Sequence, residues 1–307
     1  MRRLFLIVLL SHGLCWGQLP DPPEVAALPA WPADGKIPPS LENKHIFHDL
    51  ETGEIVVSYP TPNDPGHRTT FRFWLANRVD PAVSVEIAVP GPNLYSYTYA
   101  VRNGSRAQTP IRSWSIIGPS DDPQLQILHP EWRISNGRNP VARQALVPGV
   151  ANGARLSWSN WTDSLMIGGV ARGFQLISTF RPGLTTAYAG GDGLLKVPAD
   201  LTDEVDQELP IFEQISVWNR PALAIGPRFP PSMARGEIAS HFRDELQAVI
   251  RAGTLDGRSP YLRALIAGLE SSIKSGEEPK ITVQPRPGVE AQVAQALHVA
   301  LGNNGTP

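Results

Sequence analysis

The stretch Leu94–Ile117, LYSYTYAVRNGSRAQTPIRSWSII, decides the fold that this sequence predicts. Two runs rich in aromatic and β-branched residues flank an Asn-Gly pair and a proline, which is typical of two antiparallel strands paired with each other. Alternate residues of the first run share one parity: Tyr95, Tyr97, Tyr99 and Val101. Because successive side chains of a strand point to opposite faces, this parity predicts a core-lining face. The tyrosine hydroxyls are expected to find partners at the edge of the core.

The connection between the two runs contains Pro110, which limits how far the second run can pair because proline donates no ladder hydrogen bond. The sequence therefore predicts a loop over residues 103–110 rather than a two-residue hairpin. The first run is expected to be a central strand.

Further β-type runs are separated by Gly- and Pro-containing turns at regular intervals. They are Glu54–Tyr59, Thr69–Ala76, Val83–Val89, Gln124–Leu128, Ala154–Trp161, Gly173–Phe180, Leu194–Val197 and Phe212–Val217. Pro182-Gly183 is expected to close the strand that precedes it. This spacing predicts a mainly β chain, an antiparallel β-sandwich that is immunoglobulin-like in architecture, with a jelly roll as the alternative.

After Gly226-Pro227 the period of the apolar residues becomes helical. The first predicted helix carries Ile238, Phe242, Leu246, Val249 and Ile250 and stops at Gly253. The second has Ser259 as its N-cap, Pro260 in its first turn and Gly276 at its end. The third carries Val289, Val293, Leu297 and Leu301 on one face, and all three stripes need a partner such as the sandwich.

The N-terminus has the pattern of a secretory signal peptide: basic Met1-Arg2-Arg3, the apolar run Leu4–Leu10, and cleavage after Gly17. The apolar run is much shorter than the ~20 residues of a membrane span, so no integral membrane segment is predicted. Cys15 is the only cysteine, so the mature chain would lack disulfides and thiol nucleophiles. We expect a secreted or periplasmic protein, bacterial in type.

The 307 residues include 31 prolines and 27 glycines, which favours short elements and many turns over a helical bundle. The predicted organisation is a signal peptide at 1–17, a Pro-rich lead-in at 18–44, the β-sandwich domain at 45–225 and a helical C-terminal segment at 226–307. The net charge is −2 and no basic stripe is present, so nucleic acid is not an expected partner.

His45, His48 and Asp49 form the metal-site candidate, with His67 downstream. Imidazole and carboxylate groups suit zinc or copper. However, an i, i+3 pair shares a face only in a helix, and this segment reads as a strand followed by a turn. The other interpretation is therefore that these are surface histidines beside a turn.

A second candidate for metal binding is an acidic segment that suits calcium: Asp200, Asp203, Glu204, Asp206 and Glu208. Its spacing does not match the EF-hand loop, so an acidic solvated loop is the preferred interpretation. No cofactor is predicted, with calcium and zinc kept open.

The tryptophans raise the question of sugar binding, because exposed aromatic rings stack on sugar rings. Trp158 and Trp161 have opposite parity, so one is expected in the core and Trp161 is the candidate exposed aromatic for binding carbohydrate. Core packing is the expected role of most of the others.

The sequence contains no Gly-x-Ser-x-Gly, His-Glu-x-x-His or phosphate-loop motif. The absence of these motifs favours a protein that is not an enzyme. We expect a non-enzymatic binding or cell-surface structural protein, whose partner would be a glycan or another surface protein. One alternative is a carbohydrate-binding protein using exposed aromatics. The other is a hydrolase with a dispersed carboxylate or histidine site.

Two short motifs resemble a known pattern. Tyr97-Thr98-Tyr99-Ala100-Val101-Arg102-Asn103, and then Gly173-Phe174-Gln175-Leu176-Ile177-Ser178, are similar to strands of uncharacterised secreted bacterial β-sandwich proteins. The resemblance covers roughly residues 45–220 and implies that architecture, but it supplies no activity to assign to particular residues. Leu255–Lys274 similarly resembles helical tails attached to bacterial surface domains.

Overall fold

The computed structural model describes residues 23–61, 64–138, 145–149, 153–160, 162–191 and 219–302. The chain is mainly β, with three antiparallel sheets, as the sequence predicts. The strands are β1 Ile46–His48, β2 Ile55–Thr61, β3 Asp64–Phe73, β4 Pro81–Gly91, β5 Leu94–Asn103, β6 Ile111–Gly118, β7 Gln126–Leu128, β8 Arg133–Arg138, β9 Ala154–Ser159, β10 Val170–Ser178, β11 Arg181–Gly191 and β12 Arg220–Phe229. The predicted strands Leu194–Val197 and Phe212–Val217 lie outside the described residues.

The three sheets have distinct strand orders. Sheet A is β1-β2-β3, sheet B is β4-β5-β10-β7 and sheet C is β12-β11-β6-β9-β8. Residues from sheets B and C belong to one continuous buried cluster, so these two sheets form a sandwich. Sheet A packs with Val25 and Leu75 in a separate, smaller cluster.

The face predicted for the first run is confirmed. β5 lies between β4 and β10, and Tyr95, Tyr97, Tyr99 and Val101 are all buried. At the centre of the core the rings of Trp114 and Trp158 stack with centroids 4.5 Å apart. Phe174 meets Trp114 edge-on from the opposite sheet at 4.9 Å, which interlocks the two layers.

The predicted pairing of the two runs with each other is wrong. β5 belongs to sheet B, whereas β6 pairs with β11 and β9 in sheet C. The connection from Gly104 to Pro110 therefore crosses from one layer to the other. The predicted loop is confirmed, and it is tied down by the buried side chain of Asn103, whose amide nitrogen donates to the carbonyl oxygens of Thr109 and Leu165.

Pro182-Gly183 does not close a strand, contrary to the sequence-based expectation, because both residues lie inside β11. A Cβ atom at Gly183 would come within 2.6 Å of the ring of Phe229. Glycine is therefore needed at this position of β11, where a side chain of the paired strand β12 lies against the backbone. β12 itself was not predicted, since it contains Pro221 and Pro227. It is the edge strand of sheet C, where a missing N–H costs little.

Within the described residues three α-helices follow β12: α2 Arg235–Arg251, α3 Pro260–Ser275 and α4 Val289–Ala300; the short α1 Pro23–Ala26 precedes the strands. The predicted boundaries of α3 are confirmed. Ser259 Oγ accepts from the backbone N–H of Leu262, and Gly276 adopts a left-handed φ of 73° at the end. The apolar faces of α2, α3 and α4 join the same buried cluster as the sandwich.

Candidate functional site

The metal-site candidates His45, His48 and Asp49 lie in β1 or directly beside it and are buried. His45, His48 and Asp49 are each less than a tenth exposed, so the interpretation as surface histidines is wrong. His48 instead forms an isolated parallel bridge with Ala30. His67 is exposed and pairs with Asp64 at 2.7 Å. Within the described ranges, no group of three or more His, Cys, Asp or Glu side chains is placed to hold a metal ion.

Asp49 has both carboxylate oxygens engaged within the protein. Oδ1 accepts from the backbone N–H groups of Glu51 and Thr52 at 3.0 and 3.1 Å, and Oδ2 accepts from Arg72. Burial raises the pKa of Asp49, but the hydrogen bonds from Thr52, Arg72 and Glu51 outweigh it and hold this pKa below its usual value. The carboxylate is therefore a turn-forming and ion-pairing group.

The other candidates from the sequence fall outside the described residues: Trp161 and the acidic residues Asp200, Asp203, Glu204, Asp206 and Glu208. Trp114, Trp132 and Trp158 lie in the core, as expected for most tryptophans.

A groove of about 1210 Å³ lies between one end of sheet B and the helical segment. Its sandwich side is formed by the end of β4, the β4–β5 turn and Tyr95. Its opposite side is formed by residues 279–285 and by α4. We call this feature the interface groove.

α4 presents a stripe of small and polar residues to the interface groove: Ala291, Ala294, Gln295 and His298. The spacing of three, four and seven residues places them on one helical face. The other face carries Val293, Ala296 and Ala300, which are fully buried in the core. The alanines keep the groove wide because they project little beyond the helix backbone.

The groove leaves large aliphatic side chains in contact with solvent. Val89 of β4 is 43% exposed and Val283 is 36% exposed, although both are β-branched apolar residues. Leu297 and Leu301 form a buried floor beside them. An apolar surface of this kind marks an interaction site more often than an isolated exposed aliphatic does.

α4 is held against the edge of sheet B. Gln292 Oε1 accepts from the backbone N–H of Val85 at 3.3 Å, so the helix covers an edge of β4 that would otherwise be unpaired. A second tie runs through Glu290, which accepts from Ser259 Oγ at 2.8 Å and from the backbone N–H of Arg286 at 2.9 Å. The groove wall is therefore rigidly connected both to the sandwich and to α3.

Arg181 is the one Lys or Arg among the described residues that line the groove. It begins β11 and reaches the carbonyl end of α4, where Nη1 donates to Ala300 O at 3.4 Å; Nη2 donates to Pro231 O at 3.5 Å. The positive charge lies near the negative end of the α4 dipole, which is a favourable position.

Tyr261 lies at the α3 side of the groove and remains neutral at physiological pH. Burial, followed by the nearby charge of Glu290, raises the pKa of Tyr261 to about 12. Its hydroxyl is therefore a neutral hydrogen-bonding group in a mostly apolar surface.

No groove residue was predicted from the sequence to be functional; Tyr95, Leu297 and Leu301 were predicted only as residues of apolar, core-facing sides. One available signal was the run Val83–Val89, in which Val85 is buried while Ile87 and Val89 of the same parity are partly or largely exposed. Strand parity predicts which face of β4 is directed toward the core, but it does not predict how far along β4 the opposing layer extends. The groove forms where that layer ends.

The fold and the groove define a β-sandwich protein whose helical C-terminal segment forms one wall of an apolar cleft. Comparisons of the sequence with protein-family models and with curated proteins gave no match. In the part of the chain that is described, no helix combines the length and the apolar character needed to cross a bilayer.

Proposed function

We propose that this protein is a secreted or periplasmic, non-enzymatic binding protein whose interface groove takes up an elongated apolar small molecule. The observation that carries the proposal is the groove itself, about 1210 Å³ in volume and lined mostly by aliphatic side chains. Ligand sites in proteins typically measure about 300–1,000 Å³ and combine an apolar lining with a few polar groups.

The shape of the groove supports an elongated ligand. The lining residues on α4 and just beyond it run from Ala291 to Gly302. At about 1.5 Å per helical residue this face extends for roughly 16 Å. An extended hydrocarbon chain matches that length better than a compact ring.

The chemistry of the lining supports binding rather than hydrolysis. The described residues around the groove include no Asp, Glu, Ser, Thr or Cys. The pair of carboxylates needed for glycoside cleavage and the usual acyl-transfer nucleophiles are thus not part of this surface. Sugar binding would depend on Trp161, which lies outside the described residues.

The test is displacement of the neutral fluorescent probe N-phenyl-1-naphthylamine by dodecanol. We expect the full-length mature protein to enhance the probe's fluorescence and dodecanol to reverse this. Ala294→Trp fills the groove and should weaken probe binding at least tenfold. Ala82→Trp is the matched control, because Ala82 is an exposed β4 residue that does not line the groove.

A second variant covers the case in which Ala294→Trp fails to fold. Val89 and Val283 are partly exposed, so replacing both by Ser removes apolar groove surface at little cost to the core. Absence of probe binding, or equal binding by the wild type and both variants, would refute the proposal. Glycan-array binding lost on Trp161→Ala, or turnover of a polysaccharide or ester panel, would instead support the carbohydrate-binding or hydrolase alternative.

A further inference from the structure

We propose that the ligand of the interface groove is an amphiphile whose anionic end, a carboxylate or an equivalent oxyanion, pairs with Arg181. This inference rests on the proposed binding function and adds the chemical class of the ligand. It follows from the donor groups of Arg181, the charges around them and the position of this residue in the groove.

The guanidinium of Arg181 has more donors than the described residues accept from. A guanidinium carries five N–H groups. Two carbonyl oxygens accept from Arg181, both near the upper limit of hydrogen-bond length, at 3.4 and 3.5 Å. Nε is shielded from solvent and has no hydrogen-bond partner among the described residues. A buried donor without a partner is uncommon and calls for an explanation.

Both acceptors of Arg181 are neutral, so no carboxylate among the described residues matches its charge. None of the described carboxylates forms an ion pair with it. Arg228 is also a partly buried β-strand arginine of the same sandwich, but it forms an ion pair with Glu245 at 2.8 Å. Arg181 lies instead beside a groove without acidic lining residues.

An anionic group on the ligand would accept from the N–H groups of Nη1 and Nη2 that the two carbonyl contacts leave over. Guanidinium and carboxylate groups form two parallel charge-assisted hydrogen bonds, and such bonds are stronger where apolar surroundings lower the local dielectric constant. The apolar part of the ligand would then lie along the aliphatic surface of Val89, Val283 and Leu301.

Arg181 also has a structural contact, because it reaches the carbonyl end of α4. A purely structural role predicts that substitution weakens the binding of every ligand alike. A role in recognising an anion predicts a loss that is confined to anionic ligands. The two roles are therefore separated by comparing ligands that differ only in their head group.

The experiment compares dodecanoate, dodecanol and dodecylammonium as displacers of N-phenyl-1-naphthylamine at pH 8, below their critical micelle concentrations. For the wild type we expect dodecanoate to bind at least tenfold more tightly than dodecanol, and dodecylammonium to bind most weakly. Arg181→Gln should remove the preference for dodecanoate while dodecanol binding stays within about twofold. Arg286→Gln is the matched control, since Arg286 is exposed beside α4 and does not line the groove.

The results distinguish this inference from the proposed function. Equal binding of dodecanoate and dodecanol to the wild type, or an equal loss of both on Arg181→Gln, would overturn the role of Arg181 and leave the binding function standing. Failure of the probe and of all three amphiphiles to bind would refute the binding function itself. If Arg181→Gln does not fold, the head-group comparison on the wild type and the Arg181→Lys variant, which keeps the charge, still decide the question.

Discussion

The hydroxyl of Tyr97 donates a hydrogen bond to the carbonyl oxygen of Phe180 at 2.7 Å. Tyr97 lies on β5 of sheet B, and Phe180 lies in the turn that carries the chain from β10 of sheet B into β11 of sheet C. This hydrogen bond therefore fixes a connection between the two layers. The neighbouring Tyr99 has the same parity and the same burial, but its hydroxyl has no hydrogen-bond partner among the described residues.

Replacing these two tyrosines by phenylalanine should have opposite consequences. Tyr97→Phe leaves the carbonyl of Phe180 without its donor, so the free energy of unfolding should fall by about 1–2 kcal/mol. Tyr99→Phe removes a buried unpaired hydroxyl and should be neutral or slightly stabilising. Urea denaturation followed by circular dichroism measures both, and each variant controls for the other. Equal destabilisation would contradict the assignment.

Asn103 should be one of the most sensitive polar residues of the sandwich. Its side chain is fully buried, donates to Thr109 O and Leu165 O, and accepts from the backbone N–H of Asp80 at 3.0 Å. Asn103→Ala leaves Thr109 O and the N–H of Asp80 without these partners, while Leu165 O keeps the N–H of Ile111 at 2.9 Å, so we expect a loss of about 2–4 kcal/mol in thermal or chemical unfolding. Arg102→Ala, at the exposed neighbouring position, should change stability by less than about 0.5 kcal/mol. Similar losses for the two variants would argue against this role.

Glu245 should make the stability of the protein depend on pH near neutrality. Burial raises the pKa of this carboxyl to about 7, although the charge and hydrogen bonds of Arg228 act in the opposite direction. Because the pKa of Glu245 is higher in the folded state than in the unfolded state, this group contributes stability. The contribution is fully present below the unfolded-state pKa of 4.5 and is lost as pH rises through about 7.

The variant Glu245→Gln removes this titration while keeping an acceptor for Arg228. Relative to the wild type, its free energy of unfolding should rise between pH 5 and pH 8, by at most about 3 kcal/mol. Denaturation series at several pH values measure the difference. Glu270→Gln, on the exposed surface of α3, should show no such trend. A difference that stays constant with pH would show that Glu245 does not titrate in this range.

Asp49 should stabilise sheet A through its turn and its ion pair. Asp49→Ala removes the acceptor of Glu51 N–H and Thr52 N–H and one of the two carboxylate partners of Arg72, which keeps Glu54 at 3.1 Å, so we expect a loss of about 1–3 kcal/mol. Asp49→Asn keeps the Oδ1 acceptor, so its free energy of unfolding should lie between those of the wild type and Asp49→Ala. Urea denaturation followed by circular dichroism measures these losses.

The sign of the pH effect at Asp49 is the reverse of that at Glu245. The pKa of Asp49 is lowered, so its contribution is present above 3.8 and is lost as pH falls through the folded value. The stability difference between Asp49→Asn and the wild type should therefore shrink in acid. Glu51→Ala, at an exposed position of the same turn, is the control. A difference that does not change with pH would contradict the ion pair with Arg72.

Local patterns in the sequence were sufficient for much of the fold. The alternation of Tyr95, Tyr97 and Tyr99 predicted the buried face of β5, because a strand has a side-chain period of two. Ser259 and Gly276 predicted both ends of α3, because capping depends on residues adjacent in the chain. Predictions failed where distant segments meet, as for the pairing of β5 with β6 and for the course of β11 through Pro182-Gly183.

By itself, the sequence determined most of the strands, the three helices that follow β12 and the buried face of β5, because those properties arise from short-range periodicity and capping. Only the tertiary structure decided that β5 and β6 lie in opposite layers, that Tyr97 rather than Tyr99 finds an acceptor, and that Arg181 lies in an apolar groove with Val89 and α4. These residues are far apart in the chain. Their contacts depend on where each layer ends and what packs over it, which no local pattern of residues encodes.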